Sequence, residues 1–210
     1  MAKQQVYQLE NGAVVIYQKQ GTFNGYSFEI GFLSGAQLDG KYKGLSHLLE
    51  HLMFRSSSSK SMKKNVTNDI LKYSINQNAG TTKYYISSTF STTNDNVVFA
   101  LENNVKMFMG KHFTEEQIKR EIEIVKQEIN LYLDKLANTI PTAYDSLIDG
   151  LKVKKEEQPN VLGSARTLNQ ITPTILKRYI ERYFTTNNLI ISVTSNQSAE
   201  KVCIWFQVLS

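Results

Sequence analysis

The 210-residue chain is poor in cysteine, proline and histidine and has no long apolar run. Because Cys203 is the single cysteine, no internal disulfide can form, which fits a reducing compartment. No apolar stretch approaches the roughly 20 residues that a transmembrane helix needs. The first residues have neither a signal-peptide nor a transit-peptide pattern, so we expect a cytoplasmic protein without a membrane partner.

The charge of the chain is only mildly basic, with 24 lysines and arginines against 19 acidic residues and a net charge of +5. The lysines are spread along the chain and form no dense block interleaved with aromatic residues, so we expect no nucleic-acid partner. The hydrophobic fraction of 41% is ordinary for a globular protein. We therefore expect a single domain over residues 1–210, large enough to bury a core without disulfides.

Strand patterns lie mainly early and late in the chain, with helical patterns between them. Residues 6–10 and 14–18 flank Asn11-Gly12, a strong tight-turn signal, and three further strands are predicted at residues 26–33, 83–91 and 189–193. Helical periodicity predicts helices at residues 45–54, near 66–73, at 97–108, from Thr114 to Leu133, after Pro141, after Thr172 and from Ser198. This arrangement favours an α+β fold in which a sheet packs against helices.

The predicted helix at residues 45–54 contains two of the three histidines. At about 100° per residue, His47 and His51 lie one turn apart on one face, and Glu50 falls beside them. Leucines and Met53 occupy the other side, which can anchor the helix in the core. Two imidazoles and a carboxylate on one face suit a catalytic zinc site, because the nitrogens can bind the ion and the carboxylate can act as general base.

A solvated polar surface is the alternative for these three residues. Chance would rarely place two of three histidines at one-turn spacing with a carboxylate between them. The metal site is therefore the interpretation that we favour.

A catalytic zinc ion needs a third protein ligand in addition to two histidines. The long helix predicted after Thr114 contains Glu121, Glu123 and Glu128. Glu121 and Glu128 are seven residues apart and share a face, whereas Glu123 points elsewhere. Spacing alone does not select between Glu121 and Glu128, and the alternative for both is an amphipathic helix whose charges face water.

The run His47-Leu48-Leu49-Glu50-His51 resembles the H-x-x-E-H signature of the pitrilysin/insulinase family of zinc metallopeptidases (M16, the inverzincins). The resemblance implies that His47 and His51 bind Zn²⁺ and that Glu50 is the catalytic base. Residues 121–128 resemble the downstream E-x-x-x-V-x-x-E run of the family. Glu128 is thereby implied as the third zinc ligand, and Glu121 as an acidic residue that supports catalysis.

The resemblance covers roughly residues 6–195 and implies the N-terminal catalytic domain of the family, a single LuxS/MPP-like domain. Asn78, Ala79 and Gly80 resemble the edge-strand segment of the family, which pairs with extended substrate. The resemblance therefore implies that these three residues bind substrate. An ordinary turn at the start of a strand is the alternative for them.

Members of this family usually pair such a domain with a second, similar one and hold the substrate between the two. We therefore expect a zinc-dependent endopeptidase that acts on peptides or small proteins and has a second M16-like domain or subunit as partner. Two alternatives stay open: a non-catalytic M16-like scaffold or partner subunit, and a fragment that is inactive without the second domain.

Overall fold

The computed structural model describes residues 4–22, 24–54, 76–108, 113–137 and 160–207. The helices predicted near residues 66–73 and after Pro141 lie outside these described residues. Within the described residues, no helix combines the length and the apolar character that crossing a bilayer requires.

The strands of the described part of the chain form one mixed, six-stranded sheet with the order β1-β2-β6-β3-β5-β4. Strands β2 and β6 are parallel, and all other neighbours are antiparallel. The strands are β1 (Gln4–Gln8), β2 (Val14–Lys19), β3 (Tyr26–Phe32), β4 (Asn76–Thr81), β5 (Ile86–Thr92) and β6 (Leu189–Ser195). The segment that contains Asn78, Ala79 and Gly80 thus forms an edge strand, as the resemblance implies.

The helices supply one layer of a two-layer structure, and the α+β prediction is confirmed. They are α1 (Leu45–Phe54), α2 (Val97–Phe108), α3 (Glu115–Ala137), α4 (Ala165–Leu168), α5 (Pro173–Tyr183) and α6 (Ala199–Gln207). Two of the helices begin with a cap at the residue where the sequence predicts the helix to start. Thr114 and Gln117 exchange side-chain hydrogen bonds in a capping box before α3, and Thr172 caps α5 ahead of Pro173.

Alternating side chains of the central strands build the core between sheet and helices. In β3, Tyr26, Phe28 and Ile30 are buried, and the Phe28 ring stacks on those of Tyr26 and Phe90 at centroid distances of 5.6 and 5.0 Å. Each fully buried side chain of this size contributes roughly 1.5–3 kcal/mol. The strand residues between them are mostly exposed or half-buried, so the helices cover one face of the sheet.

Several strand boundaries differ from the sequence prediction by one to three residues, and one helix was missed. Strand β1 spans Gln4–Gln8 rather than residues 6–10, β3 ends at Phe32, and β5 begins at Ile86 rather than at residue 83. The latter prediction was wrong because the Thr82 hydroxyl accepts the N–H groups of Tyr84 and Tyr85 and bends residues 82–85 into a turn. The short helix α4 follows a Ser164 capping box that carries no apolar periodicity.

Candidate metal centre

A buried carboxylate holds the start of α1. Gly44 precedes the helix with a φ of 90°, a conformation that glycine adopts without strain. Asp39 accepts hydrogen bonds from the N–H groups of Gly44 and Ser46, both at 3.0 Å, and so caps the first turn from a preceding loop. Burial raises the pKa of Asp39 to about 6, although these hydrogen bonds act in the opposite direction. Sequence reasoning did not identify this residue.

Helix α1 places three predicted site residues on one face. The rings of His47 and His51 lie one turn apart, with centroids separated by 4.6 Å. One possible ligand atom from each of His47, Glu50 and His51 lies within 4.8 Å of the others. Their exposed fractions are only 7%, 8% and 1%. The apolar side of α1 is buried as expected, and the polar side is buried as well because α3 packs against the helix.

Helix α3 brings two glutamates to opposite nitrogens of His51. Glu128 Oε2 lies 3.3 Å from His51 Nε2 and 3.9 Å from His47 Nε2. Glu121 Oε2 lies 3.8 Å from His51 Nδ1. The two carboxylates therefore occupy different positions: Glu128 faces both Nε2 atoms, and Glu121 lies behind His51. Glu123 points to solvent and pairs with Lys126.

The donor set fits a zinc ion. Zinc takes neutral imidazole nitrogens and carboxylate oxygens at about 2.0–2.1 Å, so tetrahedral ligand atoms on one ion lie about 3.3 Å apart. The distances from Glu128 Oε2 to His51 and His47 are of this size, and this buried oxygen accepts no hydrogen bond from the described residues. Glu121 at Nδ1 matches the carboxylate that commonly orients a metal-binding histidine.

A cleft of about 600 Å³ opens beside this cluster. Its lining combines residues from α1, α3, β4 and the loop before α4: His47, Glu50, His51, Ala79, Gly80, Thr81, Glu128, Tyr132, Asn160, Val161 and Leu162. The structure thus brings Ala79 and Gly80 to the same cleft as the histidines. Asn78 does not line the cleft, because it lies on the exposed face of β4, where its side chain accepts the N–H of Ala79.

The cleft is bordered by an unpaired strand edge. Strand β4 pairs with β5 along its whole length and has no strand on its other side among the described residues. The buried hydroxyl oxygen of Thr81, at the cleft end of β4, has no hydrogen-bond partner within the described residues. An extended peptide could pair with this edge and lie next to Glu50.

Sequence reasoning did not identify the cleft wall formed by Asn160, Val161 and Leu162. The Asn160 side chain donates to the Gly163 carbonyl and accepts its N–H, both at 3.0 Å. Gly163 packs against Gly44 at the start of α1, and both have positive φ. The Asn-x-x-Gly spacing is the local signal that indicates this turn.

The sequence model of a family described as Insulinase (Peptidase family M16) matches residues 27–146, more than half of the chain. A protein of Bacillus subtilis (strain 168) named uncharacterized zinc protease YmxG is 25% identical over 198 residues, which are 91% of this chain and 46% of that protein. The chain therefore spans about half the length of the curated relatives that it matches.

Solved structures share the fold at low sequence identity. The putative M16-like peptidase from Alicyclobacillus acidocaldarius superposes with a TM-score of 0.77 at 18% identity, over 98% of this chain and 49% of that one. The peptidase M16 inactive domain from Pseudomonas fluorescens superposes with a TM-score of 0.78 at 14% identity, again over 98% and 49%. One fold is thus found both in a protein described as a peptidase and in a domain described as inactive.

Proposed function

The chain belongs to the insulinase family of peptidases, peptidase family M16, and we propose that it is the zinc-binding catalytic part of an endopeptidase that hydrolyses peptides or small proteins. One observation carries the proposal. Glu128 Oε2 faces the Nε2 atoms of both His47 and His51, next to Glu50, in a cleft bordered by an open strand edge. The name zinc protease of the Bacillus subtilis relative agrees with it.

The proposed zinc ligands are His47, His51 and Glu128. A zinc ion held by these residues would lower the pKa of a bound water and act as a Lewis acid toward a substrate carbonyl. A carboxylate oxygen of Glu50 lies within 4.8 Å of a ring nitrogen of His47 and of one of His51, so this carboxylate is also close to the proposed ligands. We assign Glu128 rather than Glu50 as third ligand, because the Glu128 oxygen lies within 3.9 Å of both imidazole nitrogens.

Glu50 is thereby assigned to proton transfer rather than to metal binding. Its buried carboxylate lines the cleft on the same helix face as the histidines, so it lies within the space where a substrate carbonyl and a water would meet. It would accept a proton from the attacking water and deliver it to the leaving amine. Glu121 would hold the His51 ring through Nδ1, so that Nε2 keeps its lone pair directed at the Glu128 side.

Substrate would bind as an additional strand on β4. The backbone groups at Ala79 and Gly80 lie beside Glu50 in the cleft, and Gly80 has nothing within 4 Å of the position that a Cβ would occupy. Main-chain pairing at this edge would give affinity with little dependence on side chains. The Thr81 hydroxyl is a further group that could bind substrate.

A second M16-like domain or subunit would close the cleft from the other side. Relatives about twice as long as this chain support such a partner. A non-catalytic partner subunit is the second candidate, because the Pseudomonas fluorescens inactive domain has the same fold. The complete set of His47, Glu50, His51 and Glu128 favours the catalytic function over this candidate.

The proposal can be tested by assaying the full-length protein for cleavage of unstructured peptides with zinc, with a chelator and with zinc restored. Glu50→Gln keeps the size of the side chain but removes the base, so we expect kcat to fall by at least about 100-fold while the zinc content stays unchanged. Glu123→Gln is the matched control, because this exposed glutamate of α3 pairs with Lys126 rather than with the histidines.

Two outcomes would contradict the proposal in different ways. Full turnover by Glu50→Gln would remove Glu50 as general base. Zinc binding without any zinc-dependent cleavage by the wild-type protein and its second half would favour the non-catalytic alternative.

A further inference from the structure

A buried asparagine lies at a position of α2 where the helical pattern calls for an apolar side chain. Asn104 is one turn from Ala100 and one turn from Phe108, both of which are buried in the core, and its own exposed fraction is 0%. Burying a neutral amide costs free energy unless its hydrogen bonds are made. The position therefore points to a role that an aliphatic residue could not fill.

The Asn104 amide is oriented by its own helix. Its Nδ2 donates to the Ala100 carbonyl at 2.8 Å, which turns Oδ1 toward the sheet. Oδ1 accepts two hydrogen bonds there, from Gln77 Nε2 at 3.0 Å and from Ser88 Oγ at 3.1 Å. Both lone pairs of this oxygen are thus used, and each holds a different strand.

The two strands held in this way are the edge strand β4 and its neighbour β5. Gln77 lies on β4 and Ser88 on β5, directly opposite Ala79. Gln77 and Ala79 lie on the same face of β4, two residues apart. Asn104 Oδ1 is therefore hydrogen-bonded to both β4 and β5, next to the point where β4 enters the cleft.

An edge strand needs such support more than a central strand does. Among the described residues, strand β4 has a neighbouring strand on one side only, so its contacts with β5 and the helices hold it in position relative to Glu50. Resting on the proposed function, we propose that Asn104 is a positioning residue for the substrate-binding strand: through Gln77 it holds β4 at the distance from the catalytic helix at which a peptide can pair with it.

Asn103 provides a matched control within the same helix. It is buried too, and its Nδ2 donates to the carbonyl four residues earlier, Phe99 O, at the same 2.8 Å. This side-chain hydrogen bond stays within α2 and does not reach β4. Asn103→Leu and Asn104→Leu therefore make the same chemical change on one helix, and only the second removes the acceptor for Gln77.

The experiment compares Asn103→Leu, Asn104→Leu and Gln77→Met in the full-length protein. Gln77→Met removes the donor from a half-buried side chain and is the milder change, so it keeps the test valid if Asn104→Leu does not fold. The readouts are amide hydrogen exchange of residues 76–81, zinc content, and kcat and KM for a peptide substrate.

Both Asn104→Leu and Gln77→Met remove the buried hydrogen bond that joins α2 to β4. We therefore expect the amide exchange rate of β4 and the KM each to rise about tenfold in both variants. We expect kcat and zinc content to stay within about twofold, because the catalytic residues are not touched. The double variant should be no worse than Asn104→Leu alone, since both changes remove the same contact. Asn103→Leu should behave like the wild-type protein in β4 exchange and KM.

Two results would overturn the role of Asn104 but leave the proposed function standing. One is an unchanged amide exchange rate of β4 in an active Asn104→Leu variant, and the other is a KM of that variant no higher than that of Asn103→Leu. A parallel fall of kcat and zinc content would also overturn it, because that pattern indicates a general structural defect. The absence of zinc-dependent cleavage by the wild-type protein would overturn the proposed function, and the substrate role of β4 with it.

Discussion

Glu128 Oε2 lies 3.3 Å from His51 Nε2, although the two residues are 77 positions apart in the chain. This contact joins α3 to α1 and directs a carboxylate oxygen at an imidazole nitrogen. The same oxygen faces His47 Nε2. The convergence of three ligand atoms from two helices, rather than the H-x-x-E-H run alone, is the structural basis for the proposed metal centre.

Glu121 should tune the affinity for zinc without being required for binding. Its carboxylate faces His51 Nδ1, so Glu121→Gln weakens the partner that orients the ring. We expect the zinc dissociation constant to rise about 10- to 100-fold, as for other partners of metal-binding histidines. Competition with a chromophoric chelator measures this. An affinity equal to that of the wild-type protein would remove Glu121 from the site.

The stability contributed by Asp39 should decrease as the pH rises from about 4 to about 6. Burial raises its pKa in the folded protein from 3.8 to about 6, against the lowering effects of Lys43 and of the hydrogen bonds from Gly44 and Ser46. The folded state therefore binds this proton more tightly than the unfolded state, and the contribution is complete below pH 4. Over this window it falls by about 3 kcal/mol.

Urea denaturation of the zinc-free wild-type protein and of Asp39→Asn at several pH values checks this sign. Titrations that the two proteins share cancel in the difference between their free energies of unfolding. Between pH 4 and pH 6, the free energy of unfolding of the wild-type protein should fall relative to that of Asp39→Asn. Above pH 7 the difference should be constant. A shift in the opposite direction would mean that the hydrogen bonds outweigh burial at Asp39.

Gly163 should be intolerant of a side chain. Its φ is 73°, and a Cβ there would overlap the Lys43 carbonyl oxygen next to Gly44. We expect Gly163→Ala to lower the free energy of unfolding by at least about 2 kcal/mol through backbone strain and displacement of the cleft wall. Gly21→Ala is the control, since nothing lies within 4 Å of its Cβ position. Equal stability of the two variants would contradict the close packing of the two chain segments.

Local patterns in the sequence were sufficient to predict most of the secondary structure and one half of the site. His47, Glu50 and His51 could be assigned because helical periodicity places them on one face, and Thr114 could be assigned because its capping box is a short-range signal. The turn at residues 82–85 could not, because the Thr82 hydroxyl overrides the strand preference of its neighbours.

The other half of the site depends on contacts between distant segments. Glu121 and Glu128 share a helix face, so only the packing of α3 on α1 distinguishes the oxygen that faces both histidines from the one behind His51. The cleft wall at Val161 and Leu162 likewise depends on the approach of Gly163 to Gly44. Helical periodicity gave no reason to select Asn104, whose partners lie on two strands.

The central claim is that His47, His51 and Glu128 bind one zinc ion. The most direct test is the zinc content, measured by elemental analysis after dialysis, of the wild-type protein, of Glu128→Gln and of the control Glu123→Gln. We predict about one zinc ion per chain for the wild-type protein and the control, and a sharp loss for Glu128→Gln, since a catalytic zinc needs three protein ligands. A wild-type zinc content in Glu128→Gln, or no zinc in the wild-type protein, would contradict the account.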